Sequence, residues 1–347
     1  MTSLGPQSTL GGPTGLGTSA ARLSPETPTA GGTDHQQPLR IPQLVFPWPP
    51  ACHPDAEDAD QEMLAFGDRF DLFPTPAARS HAERARYGWL AARSYPNADR
   101  EFLQITADYF LTTFLIDDLF IDQSETLTDH TTSDLTAIID VLDHHRPRTE
   151  PVFGEYAWHN VCSRLRVRLS DEHYQRFANG NRMWAMAAGL LILDRQNRSP
   201  VSVESYETIR RYTGAAYPSI DLTDATGTGA ITAEEFNHPV TQRLRLHANN
   251  VIAWSNDVHS AHKETHEPGQ PYNLVLLYHR DGLPLQQSLD LVVSRVHAEI
   301  TQFQDLATMT EDHCGPRLRG LIAGMRHWMR GYQDWVDNDT RRYLSHP

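Results

Sequence analysis

The sequence has few cysteines, and their positions exclude the covalent cross-links that hold many small proteins together. There are three, Cys52, Cys162 and Cys314, in 347 residues. They lie far apart, are odd in number and form no paired spacing of the kind that binds zinc. We therefore expect three ordinary thiols, with neither a disulfide framework nor a zinc knuckle.

Long apolar segments are also missing. No segment approaches about eighteen uncharged apolar residues, the length needed for a membrane-spanning helix. Residues 1–40 are rich in Gly, Pro, Ser and Thr and lack the basic start and apolar stretch of a secretory signal. Because they contain almost no large apolar side chains, we expect a disordered tail there. The sequence thus predicts a cytoplasmic protein without stable membrane insertion.

Positive charge is scarce. The chain has 30 Lys and Arg against 44 Asp and Glu, which gives a net charge of -14, and no basic run appears. Nucleic-acid binding requires clustered basic side chains, so we expect no nucleic-acid partner. The same charge repels an anionic substrate. Positive charge for such a substrate would have to come locally, from a few basic side chains or from metal ions.

The apolar residues recur mostly at steps of three and four, and alternating β-branched stretches are nearly absent. This pattern predicts an all-α fold with about ten or more helices in one domain, residues 41–347. The domain begins with an extended Pro-rich stretch. Glu101–Phe120 is apolar over most of its circumference, which is typical of a central helix. The predicted helices are Asp58–Phe70, Ala77–Ser94, Glu101–Phe120, Thr131–His144, Tyr156–Val167, Glu172–Asp194, Val203–Thr213, Val240–Thr265, Leu285–Leu306 and Pro316–Asp337.

Three carboxylates interrupt one of the most apolar stretches, "FLIDDLFIDQ". On a helix, Asp118 and Asp122 lie about 100° and about 140° from Asp117, so all three share one side. In apolar surroundings such carboxylates repel each other and cost several kcal/mol to desolvate unless a positive group meets them. Hard oxygen ligands at this spacing suit Mg²⁺ or Mn²⁺. The alternative is a helix end that surfaces, with the acids in water.

A second group of oxygen ligands lies in "WSNDVHSAHKETHE". Asn256, Ser260 and Glu264 are spaced by four and form one stripe on a helix, with an amide carbonyl, a hydroxyl and a carboxylate. These groups can chelate a hard cation, and Lys263 borders them. The same segment contains His259, His262 and His266 on another side of the helix, which we interpret as histidines on a solvated face instead of a zinc triad.

The stretch "DATGTGAITAEE", Asp224–Glu235, resembles a calcium loop of the EF-hand type. Thr226 and Thr228 place hydroxyls where that loop needs carboxylates, which removes most of the charge that gives affinity. We expect a connecting loop, with Thr232 as the N-cap of the next helix. A non-catalytic calcium-binding module is an alternative function.

Two basic positions suit an anion. Arg210 is followed by Gly214 and Pro218, a spacing that predicts a broken helix with backbone carbonyls exposed toward a cavity. An arginine can bind phosphate through two parallel hydrogen bonds. Near the C-terminus, Arg342 and Tyr343 also suit an oxyanion.

Together these patterns resemble the class I terpene synthases of the bacterial type, over roughly Ile41–Tyr343. The chain differs from many members in two ways. Three residues separate Asp118 from Asp122, where many relatives have two, and Thr213 stands where an acidic linker residue is sometimes found. The matching motifs are an aspartate-rich motif at Asp117, Asp118 and Asp122, an NDxxSxxxE motif at Asn256, Ser260 and Glu264, a diphosphate-sensing arginine with an effector glycine at Arg210 and Gly214, and a C-terminal pair at Arg342 and Tyr343.

The resemblance implies an α-helical bundle around an apolar, aromatic-lined cavity. Three Mg²⁺ ions, or Mn²⁺ in their place, would be held by the two oxygen-bearing motifs and would bind the diphosphate of a linear prenyl substrate. The positive and hydroxyl groups expected to bind the leaving diphosphate are Arg210, Lys263, Arg342 and Tyr343. Among the aromatic residues, Phe114 is the first candidate to face the carbocation, followed by Tyr217 and Trp335.

The expected reaction is the ionisation and cyclisation of a prenyl diphosphate, first of all farnesyl diphosphate, to a hydrocarbon or alcohol and pyrophosphate. Geranylgeranyl and geranyl diphosphate are alternative substrates, and a homodimer is possible. A chain-elongating prenyl synthase would need a second aspartate-rich motif. A helical metal phosphohydrolase would need adjacent His and Asp, and none of the 18 histidines is followed by Asp.

Overall fold

The computed structural model describes residues 39–118, 128–197, 200–227, 229–265 and 272–343. These residues form fourteen α-helices and no β-strand, which confirms the predicted all-α class. Almost all of the predicted tail lies outside the described residues, as do Asp122 and His266. All three cysteines have free thiols, as expected.

The helices follow one another through short connections. Most agree with the predicted ranges to within a few residues. In chain order they are α1 (Ala56–Arg69), α2 (Pro76–Ala85), α3 (Tyr87–Ser94), α4 (Arg100–Ile116), α5 (Asp129–His144), α6 (Glu155–Arg168), α7 (Asp171–Asn197), α8 (Val203–Thr213), α9 (Ala216–Ile220), α10 (Ala233–Asn237), α11 (Pro239–Glu264), α12 (Leu274–Arg280), α13 (Leu285–Glu311) and α14 (Pro316–Asn338).

One predicted helix is two. The chain is not helical throughout Ala77–Ser94, because Arg86 has a left-handed backbone with φ of 56° between α2 and α3. The Arg86 side chain is held there by an ion pair with Glu57 and lies over the Trp89 ring at 5.2 Å. These contacts stabilise a backbone conformation that non-glycine residues rarely adopt. No periodic pattern signals such a break.

The short helix α12 was not predicted. Its seven residues, Leu274–Arg280, span about two turns, which is too short for a clear helical period. Asn273 begins it by accepting a hydrogen bond from the backbone N–H of Val275 at 2.9 Å. Asn273, as the N-cap residue, is therefore the local sequence signal from which α12 could have been predicted.

The helices enclose an aromatic core. α4 packs against α3 and α1, α14 packs against α3, and α13 lies along α11. The extended stretch before α1 packs onto α13: Leu44 and Phe46 are buried, and the Trp48 indole donates to Gln304 Oε1 at 2.7 Å. Within the described part of the chain, no helix is long and apolar enough to span a membrane.

Close packing of α14 on α3 gives a stability prediction. A Cβ atom on Gly331 would lie 2.6 Å from the backbone carbonyl oxygen of Arg93, so the two helices would have to separate. We expect Gly331→Ala to lower the free energy of unfolding by about 1–3 kcal/mol in urea denaturation. Gly189→Ala on α7 is the control, because its Cβ would meet only Leu135 at 3.6 Å. It should leave stability unchanged or raise it. Equal losses in both variants would contradict the packing argument.

Candidate active site

The aspartate motif lies where α4 ends. Asp117 and Asp118 belong to a π-helical turn. At its start, the Asp117 N–H still donates to the carbonyl oxygens of Phe114 and Thr113, as at the end of an α-helix. Wider turns of this kind often occur at functional sites because they redirect side chains. Asp117 and Asp118 are 4% and 1% exposed, so the alternative of acids in water does not hold for these two.

The buried Asp118 carboxylate is met by Arg342. The Arg342 guanidinium donates to Asp118 Oδ1 at 3.0 Å and to Oδ2 at 3.3 Å. Both side chains are fully buried. The pair joins the end of α4 to the segment after α14, and it supplies the positive group that a carboxylate in apolar surroundings requires.

Aromatic rings hold Arg342 in place. Its guanidinium lies 5.1 Å from the Phe114 ring centroid and 5.7 Å from that of Tyr87, and those two rings stack at 4.4 Å. It also donates to the Tyr87 hydroxyl. Burial by itself lowers the pKa of Arg342, but the effect of the Asp118 carboxylate and its neighbours is larger and raises the pKa above its usual value. The group therefore stays charged. Cation–π contacts are strongest where water is excluded.

The second motif forms one buried stripe on α11. Asn256 and Ser260 are fully buried, and Glu264 is 6% exposed. Asn273 supports the stripe from the start of α12, because its amide donates to Ser260 Oγ at 3.1 Å and to the Asp257 carbonyl oxygen at 2.9 Å. Lys263 is half-buried beside the stripe.

Arg210 on α8 is bound to the same stripe. It is fully buried, donates to Asn256 Oδ1 at 2.6 Å and pairs with Asp257 Oδ1 at 2.9 Å. Asp257 in turn accepts hydrogen bonds from the Tyr206 hydroxyl and the Leu274 N–H. Burial by itself lowers the pKa of Arg210, but Asp257 raises it above its usual value. Asp257 therefore keeps this arginine charged and oriented.

Tyr343 links the stripe to the aspartate motif. The Asn256 amide donates to the Tyr343 hydroxyl at 2.9 Å and to the Tyr332 hydroxyl at 3.4 Å, and the two hydroxyls lie 3.0 Å apart. Since Arg342 binds Asp118, the adjacent residues Arg342 and Tyr343 connect the end of α4 with the stripe on α11. The structure thus brings the two predicted motifs to one place.

The predicted helix break beside Arg210 is confirmed. α8 ends at Thr213 and α9 begins at Ala216. The left-handed residue is Ala215, with φ of 50°, whereas Gly214 has φ of -63°. A Cβ atom at Gly214 would lie 3.2 Å from the Arg210 carbonyl oxygen and 3.5 Å from Ala253 Cβ. A side chain at Gly214 would therefore be tight against the Arg210 carbonyl oxygen and in ordinary contact with α11.

A cavity lies beside these groups. Phe114 is one of its lining residues, as the sequence interpretation proposed. Tyr217 and Trp335 are not: the Tyr217 ring lies under Arg245 at 4.8 Å, and the Trp335 indole donates to the Ala85 carbonyl oxygen at 2.9 Å. The cavity is lined by Phe110, Thr113, Phe114, Asp117, Trp184, Thr213, Ala215, Ser219 and Trp328.

The histidines beside the second motif are not all solvated, contrary to the sequence interpretation. His259 is 8% exposed, and its Nδ1 lies 2.7 Å from the Ser255 carbonyl oxygen. Tyr332 and Tyr343 pack near its ring and cover that side of α11. His262 is exposed.

The calcium-like stretch has another role. Asp224 is buried, and its carboxylate accepts hydrogen bonds from Arg176 at 3.0 Å and from the Ile231 N–H at 2.9 Å. Glu235 and Thr232 form a capping box at the start of α10, which confirms Thr232 as its N-cap. Asp224 and Glu235 therefore stabilise the loop and the start of α10.

The donor set fits a hard cation. Among the described residues, no three His, Cys, Asp or Glu side chains form a group that could hold a metal ion. The α11 stripe offers instead a carboxylate, an amide oxygen and a hydroxyl, and Asp117 and Asp118 add carboxylate oxygens. Oxygen donors of this kind are those that Mg²⁺ prefers.

Sequence reasoning missed several residues of the site. Asp257, Asn273, Tyr87 and Tyr332 orient predicted site residues through hydrogen bonds, and Tyr206 orients Asp257. Only Asp257 had a local signal, since it follows Asn256 within the second motif. The others are ordinary polar or aromatic residues in the sequence.

The chain is similar to a known protein family and to individual known proteins. Residues 108–302 match the family described as terpene synthase family 2, C-terminal metal binding. A (+)-corvol ether A and B synthase of Kitasatospora setae, described as cyclizing (2E,6E)-farnesyl diphosphate, is 56% identical over 88% of this chain and 95% of its own. A sesquiterpene synthase of Metarhizium brunneum is 46% identical over 88% of this chain and 90% of its own.

The fold agrees as well. The crystal structure of an α-eudesmol synthase matches with a TM-score of 0.75 and 22% identity, covering 86% of this chain and 99% of that one. The family match includes the last part of α4 with Asp117 after it, and α8 and α11 with Arg210 and Asn256. The chain belongs to the terpene synthases, in the family whose C-terminal part binds metal.

Proposed function

We propose that this terpene synthase ionises (2E,6E)-farnesyl diphosphate and cyclises the resulting carbocation, with release of pyrophosphate. One observation carries the proposal: Arg342 binds Asp118 while the adjacent Tyr343 binds Asn256, beside an aromatic-lined cavity. The similarity to a synthase named for cyclizing farnesyl diphosphate supports the choice of substrate. A homodimer and a cytoplasmic location stay predictions from the sequence.

The metal ligands in this proposal are Asp117 and Asp118 on one side and Asn256, Ser260 and Glu264 on the other. Asp122, the third predicted aspartate, lies outside the described residues. The expected metal is Mg²⁺, as three ions, with Mn²⁺ as a substitute. When bound, the metal supplies positive charge to the leaving diphosphate, which facilitates cleavage of the allylic C–O bond.

The protein groups that bind the diphosphate are Arg210, Lys263, Arg342 and Tyr343. Both arginines have pKa values raised by buried carboxylates, so each carries its charge throughout the working pH range. Burial raises the pKa of the Tyr343 phenol, which therefore stays protonated and can donate a hydrogen bond. Charged and hydroxyl donors fixed before the reaction stabilise the charge that grows on the leaving group.

The cavity receives the hydrocarbon part of the substrate. Phe110, Phe114, Trp184 and Trp328 present aromatic rings to it. A ring face stabilises a cation through its quadrupole, and the apolar wall excludes bulk water that would capture the cation early. Phe114 contributes to both parts of the site, the cavity and the diphosphate-binding groups, because the Arg342 guanidinium lies 5.1 Å from its ring centroid.

The product class is proposed from the similar synthase. Its name describes its products as ethers. The farnesyl chain keeps no oxygen once the diphosphate leaves, so the oxygen of such a product comes from water. We therefore propose that this protein also releases an oxygenated sesquiterpene, an alcohol or a cyclic ether.

The first prediction concerns the reaction itself. Purified protein with Mg²⁺ and farnesyl diphosphate should release pyrophosphate and a volatile sesquiterpene, measured by gas chromatography with mass spectrometry. Geranyl and geranylgeranyl diphosphate should give less product, and removal of metal with EDTA should stop the reaction. A longer prenyl diphosphate as product would identify a chain-elongating synthase instead. No product from any of the three substrates would overturn the proposed function.

Arg342 gives a second prediction. Lysine at this position cannot form the two parallel bonds to Asp118 or place a planar guanidinium against the Tyr87 and Phe114 rings. We expect Arg342→Lys to lower kcat/KM for farnesyl diphosphate by about 100-fold or more. Arg341→Lys is the control, because the Arg341 side chain is exposed. It should retain activity. An active Arg342→Lys variant would exclude a role for the bidentate contact.

The α11 stripe gives a third prediction. The double variant Asn256→Ala and Glu264→Ala removes two of its three oxygen ligands. Pyrophosphate release should fall to background, or require a far higher Mg²⁺ concentration, as measured in a Mg²⁺ titration. His262→Ala, exposed on the same helix, should behave as wild type. Unchanged turnover of the double variant at all Mg²⁺ concentrations would show that this stripe does not bind the metal.

A further inference from the structure

Thr213, the last residue of α8, places an unused hydroxyl at the cavity. It is 1% exposed and lines the cavity with Phe110, Phe114 and Trp184. Within the described part of the chain, its Oγ1 has no hydrogen-bond partner. A buried hydroxyl without a partner is destabilising, so its presence in an aromatic cavity requires a reason.

Asn249 on α11 is a second such group. It is fully buried, and neither its Oδ1 nor its Nδ2 has a hydrogen-bond partner among the described residues. Asn249 precedes Asn256 by seven residues, which is close to two helical turns. The two side chains therefore leave α11 on the same side, about 10.5 Å apart along the helix axis. Asn249 continues the polar stripe beyond the predicted metal ligands.

Both groups lie close along the chain to one contact between the α8–α9 segment and α11. Thr213 precedes Gly214, where a Cβ atom would lie 3.5 Å from Ala253 Cβ on α11. Asn249 lies one turn before Ala253 on the same helix. One hydroxyl and one amide, both buried and without a hydrogen-bond partner among the described residues, thus lie within about one turn of the place where the broken α8–α9 segment meets α11.

We propose that Thr213 and Asn249 hold the water molecule that ends the reaction by capturing the carbocation. Buried water typically makes about three hydrogen bonds to polar groups that have no other partner. A hydroxyl and an amide together offer both donors and acceptors for it. This inference rests on the proposed function, because it assigns residues to its water-capture step.

The step balances without a further reactant. The carbocation accepts an electron pair from the water oxygen, one C–O bond forms, and the oxonium group loses one proton to the released pyrophosphate. Farnesyl diphosphate and water thus give an alcohol, or the isomeric cyclic ether, and pyrophosphate. Without held water, the same cation loses a proton from carbon instead and gives a hydrocarbon.

The test compares products within one reaction mixture. Thr213→Val and Asn249→Leu nearly keep side-chain size but remove the polar atoms. In each, we expect the ratio of oxygenated to hydrocarbon product to fall by about tenfold, the factor that one hydrogen bond of about 1.4 kcal/mol gives. The ratio is read by gas chromatography with farnesyl diphosphate and Mg²⁺, and wild type in water labelled with heavy oxygen should give labelled product.

Two variants serve as controls. Ser255 on α11 is also fully buried with an unpartnered hydroxyl, but it points about 120° away from Asn249 on the helix. Ser255→Ala should keep the wild-type product ratio. Thr213→Ser retains a hydroxyl and should keep most of the oxygenated product, even if Thr213→Val folds poorly.

The possible results separate the two proposals. If Thr213→Val and Asn249→Leu keep the wild-type ratio, or Ser255→Ala changes it as much, the two groups are only structural and the inference is overturned. A wild type that makes only hydrocarbon also overturns it, while cyclisation of farnesyl diphosphate stands. A wild type without any product from farnesyl diphosphate refutes the proposed substrate instead.

Discussion

The ion pair of Arg342 with Asp118 is the contact on which the site depends. Both side chains are fully buried, and removing one partner of such a pair leaves an uncompensated charge that costs about 3–5 kcal/mol. Because Tyr343 follows Arg342 and binds Asn256, the same short segment fixes the end of α4 and the stripe on α11. This segment is itself held to α2 and α3, through the Arg341 N–H to the Arg84 carbonyl oxygen and an ion pair of Asp339 with Arg93.

Buried arginines resolve the conflict between an acidic protein and an anionic substrate. The net charge of -14 disfavours a diphosphate at long range. At the site, however, Arg210 and Arg342 are paired with Asp257 and Asp118, and these carboxylates keep both guanidinium groups charged despite burial. Pairing also orients them, which lowers the reorganisation required when a substrate binds. Local charge therefore decides anion binding here, and total charge does not.

The cavity combines two kinds of surface. Aromatic rings on α4, α7 and α14 suit a carbocation, whereas the α8–α9 break places the Thr213 hydroxyl at the same cavity. Phe114 connects the two ends of the site, because it lines the cavity and also contacts the Arg342 guanidinium. Separation of polar and aromatic surfaces within one cavity lets a few hydrogen-bonding groups act without exposing the cation to bulk water.

The sequence by itself determined what depends on neighbours along the chain. Helical periodicity gave the all-α class, the spacing by four placed Asn256, Ser260 and Glu264 on one side of α11, and Gly214 with Pro218 marked the helix break. Tertiary structure alone decided the partners of these residues. Asp118 and Arg342 are 224 positions apart, and Asn256 and Tyr343 are 87 apart. No local period encodes such pairs, because they depend on how whole helices pack, and the same holds for the contacts of Asp257 and Tyr87.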